Sequence, residues 1–127
     1  MTNNFQDTLG EFVKEAGLDS IVSGIVNFDG KELAYLAQGT FDKKFNRQSA
    51  ASVFTLVVNL LNQTLGEIHF KEDQVEEIVV TSKKGYFILR VIEPGKCFMG
   101  VAVVKEEDVE KILQLINRYQ PLFLENL

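Results

Sequence analysis

The chain reads as an α+β protein built on one five-stranded antiparallel sheet with helices on both faces, and three observations predict it. Apolar residues recur at helical spacing in three segments and only there. Between them lie five short runs rich in Val, Ile and Phe, the residue types that fill strands. Short hairpin turns join the first strand to the second and the third to the fourth and fifth, so those neighbours run antiparallel. A length of 127 residues suits one domain spanning residues 1–127.

The first helix, α1, takes Phe5, Leu9, Phe12, Val13 and Ala16 onto one face. Asn3 and Gln6 have the spacing of a capping box, and Gly17 supplies a left-handed stop. Ser20 to Phe28 is β1, and Asp29-Gly30 is a strong hairpin signal that turns the chain into β2, Lys31 to Ala37. Residues 38–46 show no period and read as a loop. Helix α2 runs from Arg47 to Leu65 and stops at Gly66. An acidic linker, Glu67 to Gln74, leads to β3 (Val75 to Ser82), β4 (Tyr86 to Ile92) and β5 (Cys97 to Val104). The turns between these strands are Lys83-Lys84-Gly85 and Glu93-Pro94-Gly95-Lys96. Helix α3 opens with Glu106, Glu107 and Asp108 in its first turn, buries Val109, Ile112, Leu113 and Ile116, and is interrupted at Pro121. The apolar tail from Leu122 to Leu127 should dock rather than fray. The element order is therefore α1-β1-β2-α2-β3-β4-β5-α3.

Helix α2 is the anomaly. Ala50, Ala51, Val53, Phe54, Leu56, Val57, Val58, Leu60, Leu61 and Leu65 cover more than half its circumference. The rest is Gln48, Ser52, Thr55, Asn59, Asn62 and Gln63, and no charge stands between Arg47 and Glu67. A water-facing helix in a chain with 24% charged residues normally carries Lys and Glu. Charge depletion with retained hydrogen-bonding groups marks either a desolvated interface or a helix inside a larger core. On the interface reading, Gln48, Ser52, Thr55, Leu56, Asn59, Leu60 and Gln63 face a partner, and Thr55→Arg or Asn59→Arg should split the oligomer.

Composition narrows the partners. A net charge of −5 opposes attraction to nucleic acid and to anionic lipid. The N-terminus lacks the pattern of a signal peptide, and the most apolar run, residues 53–61, is too short to insert into a membrane, so a cytoplasmic protein is expected.

Catalytic and cofactor signatures are missing. His69 is the sole histidine and Cys97 the sole cysteine, and Cys97 falls within an apolar strand where thiols pack rather than react. The acids Glu72, Asp73, Glu76 and Glu77 read as a solvated charge run rather than a cation site. Gly95 to Gly100 has the glycine spacing of a phosphate loop, but Val101 and Ala102 stand where lysine and a hydroxyl residue are required. No enzyme active site, metal or cofactor is expected.

Three stretches taken together, Gly24 to Ala34, Ile78 to Leu89 and Met99 to Val103, resemble the Roadblock/dynein light chain family, with the element order matching from about Leu9 to Leu124. The resemblance implies a Roadblock/profilin-like fold and a stand-alone prokaryotic member. It further implies a homodimer or heterodimer in which the second helices pack together and the third strands join two sheets. The implied partner is a small Ras-like GTPase, which such proteins scaffold or activate by reorganising its active site, as in bacterial polarity and gliding systems. Some GTPase activators instead insert an arginine, and this chain has only Arg47, Arg90 and Arg118. A competing expectation is a small-molecule sensor, with Val, Ile and Phe lining a pocket between sheet and helix.

Overall fold

The computed structural model describes residues 4–39, 47–68 and 73–127, the side chains of residues 47–50 excepted. The elements are α1 (Asn4–Ala16), β1 (Ile21–Asn27), β2 (Glu32–Gln38), α2 (Arg47–Glu67), β3 (Glu77–Thr81), β4 (Gly85–Glu93), β5 (Cys97–Val104) and α3 (Val109–Leu124). The strands form one five-stranded antiparallel sheet, as expected, and their order across it is β2-β1-β5-β4-β3.

The sheet separates two cores because successive side chains point to opposite faces. On one face Ile21, Ile25, Ile88, Met99, Val101 and Val103 pack against Leu9, Phe12 and Val13 of α1 and Ile112, Leu115 and Ile116 of α3. On the other, Val26, Leu89, Val91 and Phe98 meet Ala51, Phe54 and Val58 of α2. Two helices thus back the sheet on one side and a single helix covers the other. The central strands β1, β5 and β4 carry most of the buried positions, whereas β3 is nearly all exposed.

The turn after β1 is built by Asn27, whose Oδ1 accepts from the backbone N–H of Asp29 (2.9 Å) and Lys31 (3.0 Å). Gly30 takes the required positive φ of 85°. At the end of β2, Gly39 has φ 68°, and a Cβ there would collide with the Asp19 carbonyl, so no other residue fits.

Several local expectations change. Gln6 also reaches β2, Nε2 donating to the Tyr35 carbonyl (2.8 Å) and Oε1 accepting from its N–H (3.0 Å); Asn3, its partner in the expected capping box, lies outside the described residues. Helix α2 runs through Gly66, because a glycine within a helix costs only about 1 kcal/mol and Ile68 N still bonds Thr64 O at 3.1 Å. Strand β3 is shorter than predicted: Val75 N–H is taken by Asn62 Oδ1 of α2 at 2.7 Å, outside any ladder. Glu106 and Glu107 precede α3 rather than opening it, and Asp108 is the N-cap, accepting from the N–H of Glu110 and Lys111. Pro121 does not interrupt α3. The turn beyond it is held by Phe123, fully buried in the core shared with α1, and Asn126 Nδ2 donates to Thr8 Oγ1 at 2.9 Å. The tail docks through these residues while Leu122 and Leu127 stay exposed.

In the layer of α1 and α3, Tyr119 stacks edge-on against Phe12 and donates its hydroxyl to Glu15 Oε1 at 2.8 Å. Burial, then the bond to Glu15, pushes the phenol up to about 12. The folded state therefore favours the neutral phenol. Its contribution is complete below pH 10 and declines from about 10 to about 12, where the unfolded chain ionises first. Tyr119→Phe should flatten that part of the alkaline limb in a series of denaturant melts; an unchanged slope would show that Glu15 does not hold the phenol.

Candidate functional site: an uncharged helix face and an open sheet edge

The inner face of α2 is narrow. Ala51 and Val58 are buried, Phe54 stacks on Phe87 of β4 with centroids 4.4 Å apart, and Asn62 turns inward to Val75. Thr55 belongs to this inner face too. It is 8% exposed, and its hydroxyl donates to the Ala51 carbonyl at 2.8 Å, which satisfies it without water or a partner. Its proposed place facing a second chain is therefore corrected: the structure turns it toward the sheet. The Gly30 turn lies beneath it, where a Cβ would sit 3.9 Å from its Oγ1.

Of the other residues named from sequence, Ser52, Leu56, Asn59, Leu60 and Gln63 are exposed together on the outer face. Gln48 falls among residues whose side chains are not described. Leu56 and Leu60 are 57% and 52% exposed. Sequence reasoning missed Val53 and Leu61, also exposed, because it set only Leu56 and Leu60 of the apolar arc at the partner face. At 100° per residue Leu56, Leu60 and Val53 fall within about 60° of one another, and Ser52, Asn59 and Gln63 form a neutral polar strip beside them. The centre of the outer face is thus apolar, and the polar residues are its flank.

The adjoining edge strand β3 exposes Val79 and Val80, and one side of it has no strand beside it among the described residues. A signal was present in the sequence: two adjacent valines in a strand that the topology places last. Exposed apolar patches and open strand edges are both features on which other chains can dock.

The remaining candidates for chemistry are occupied. Cys97 is fully buried and burial pushes its thiol up, away from the reactive thiolate. Gly95 sits in a turn with φ 76°, and Cys97 to Gly100 lie in the central strand, so no phosphate cradle exists there. Arg90 is bonded by Glu77 of β3 and by Asn117 Oδ1 (2.6 Å) and Gln120 Oε1 (3.0 Å) of α3. Arg118 pairs with Glu15 at the surface. Arg47's side chain and all of His69 lie outside the described residues. Among the described residues no group of three or more His, Cys, Asp or Glu could hold a metal ion. No helix among them is long and apolar enough to cross a membrane.

Gly24 of β1 and Gly100 of β5 are direct cross-strand partners, and they leave the sheet bare beneath α2. The result is an apolar hollow of about 40 Å³ walled by Phe54, Phe87 and Phe98. A wider polar cleft of about 580 Å³ opens between the start of β3 and α3, with the Arg90 cluster on its wall.

The three helices and the strand order define the Roadblock/LC7 class of fold. Among particular proteins, MglB from Myxococcus xanthus superposes with a TM-score of 0.79 at 12% identity, covering 98% of this chain and 90% of that one. The gliding protein MglB of Thermus thermophilus gives 0.75 at 12%, covering 91% and 84%. A Roadblock/LC7 domain from Streptomyces avermitilis gives 0.68 at 13%, covering 94% and 97%. No family model and no curated protein matches the sequence, so the likeness is one of fold.

Proposed function

We propose that the chain is a non-catalytic dimeric regulator or scaffold of a small Ras-like GTPase. The observation that carries this reading is the outer face of α2, an uncharged surface centred on exposed Leu56 and Leu60. Leaving large aliphatic side chains in water forgoes roughly 1.5–3 kcal/mol each, which a second chain recovers by covering them. The fold and its likeness to the MglB proteins support a GTPase as the further partner. Arg90, fixed by three side chains, is not free to act as an inserted arginine.

The sensor reading is less well supported. The hollow under α2, about 40 Å³, is far below the roughly 300–1,000 Å³ of ordinary ligand pockets. In the polar cleft beside α3 the arginine is already bonded within the chain.

The test uses a Ras-like GTPase from the same genome, purified with and without this protein. A stable complex with faster GTP turnover indicates an activator, and a complex with unchanged turnover indicates a scaffold. Absence of both a complex and any change in turnover would sink the proposal.

A further inference from the structure

Gly100 occupies the middle of β5, itself the middle strand of the sheet, yet it stays partly exposed. A glycine inside a strand forgoes packing and backbone order relative to alanine, so its presence calls for a cause. The ordinary causes do not hold at Gly100. Its φ is not in the left-handed region, and its pairing with Gly24 of β1 and Leu89 of β4 passes without a register shift. A Cβ there would meet only side-chain ends, Phe87 Cζ at 3.4 Å and Leu89 Cδ2 at 3.6 Å, both normal contact distances, and no backbone atom. Gly24 differs, because the Ala34 carbonyl oxygen would stand 3.3 Å from its Cβ and β2 leaves little room.

What the missing side chain leaves open is the apolar hollow under α2, where Phe54, Phe87 and Phe98 are joined by Val22, Val26 and Ala51. Water is a poor occupant, since it needs about two to four polar partners and these walls are mostly carbon. The volume sets the size of a better one. A body the size of a water molecule needs roughly 10–15 Å³, so a hollow of about 40 Å³ takes a group of roughly two to four heavy atoms. A whole metabolite or an aromatic ring is too large, and the end of a short or branched aliphatic chain is not.

We propose that the hollow is a binding site for one compact aliphatic group, and that Gly100 is the residue that keeps it open. The group belongs either to a free molecule, such as a short branched alcohol, or to a valine or leucine tip presented by the GTPase of the reading above. Its chemistry is the same in both cases.

Xenon, a compact apolar probe, tests the site with no partner present, so the result is independent of the GTPase reading. Wild-type protein followed by heteronuclear NMR under rising xenon pressure should show saturable shifts confined to the amides around Gly100, Gly24, Val26 and Ala51. Isobutanol should compete with the gas. Gly100→Ala places a methyl group in the hollow; it should abolish the shifts and raise the melting temperature by about 2–5 °C. No saturable shift in the wild type, an unchanged shift in Gly100→Ala, or a lowered melting temperature in that variant would each overturn the proposal. The source of the group is read from binding to the GTPase. Binding weakened by about ten-fold or more in Gly100→Ala identifies a side chain of the partner, and undiminished binding identifies a free molecule.

Discussion

Leu60→Arg should convert the assembly to a folded monomer. Leu60 is 52% exposed and lies on the outer face of α2, so the single chain loses little when it changes. Across a two-fold interface the substitution occurs twice. It removes two buried leucines and introduces two guanidinium groups that must be desolvated, which together weakens dimerisation by at least about a hundred-fold, roughly 3 kcal/mol. Leu56→Arg should behave alike. Sedimentation velocity reads the loss and circular dichroism verifies the fold; a variant that remains dimeric would place the interface elsewhere. Thr55→Arg, attractive from sequence alone, is the wrong probe. With Thr55 buried against the sheet, that change should lower the melting temperature whatever the oligomer does.

Phe123→Ala should cost about 3–5 kcal/mol, the usual range for truncating a fully buried phenylalanine. Its ring sits 6.4 Å from Tyr119 in the core between α1 and α3, beyond a proline that local sequence marks as a helix end. Leu122→Ala, one residue earlier but 40% exposed, should cost under about 1 kcal/mol. Urea denaturation of the two variants compares them directly. Similar losses would mean that the last turn of α3 does not dock as a helix.

The two results probe different levels of legibility. All eight elements were readable because each carries its own period, β-branched run or turn chemistry within a few residues. The element ends were less readable where a contact from far along the chain competed with a local signal. Gln6 carries a local capping signal, and nothing local shows that β2 offers it both the carbonyl and the N–H of Tyr35. Pro121 looks like a stop until burial of Phe123 outweighs the lost backbone bond. The Arg90 cluster was invisible for the same reason, since it joins β3, β4 and α3 across 13 to 30 positions of sequence.

For α2, the residues alone established that the helix avoids charge on every side, and hence that water is not its whole environment. They left open which side meets the sheet, because apolar residues occupy more than half the circumference and local periodicity is blind to what lies opposite. Packing on β1, β4 and β5 resolved it. Ala51, Thr55 and Val58 are small enough to let the helix approach the sheet, and bulkier Leu56 and Leu60 are left outward. Which residues of α2 face outward is therefore set by where close packing leaves no room, a property of the assembled layers that no single segment contains.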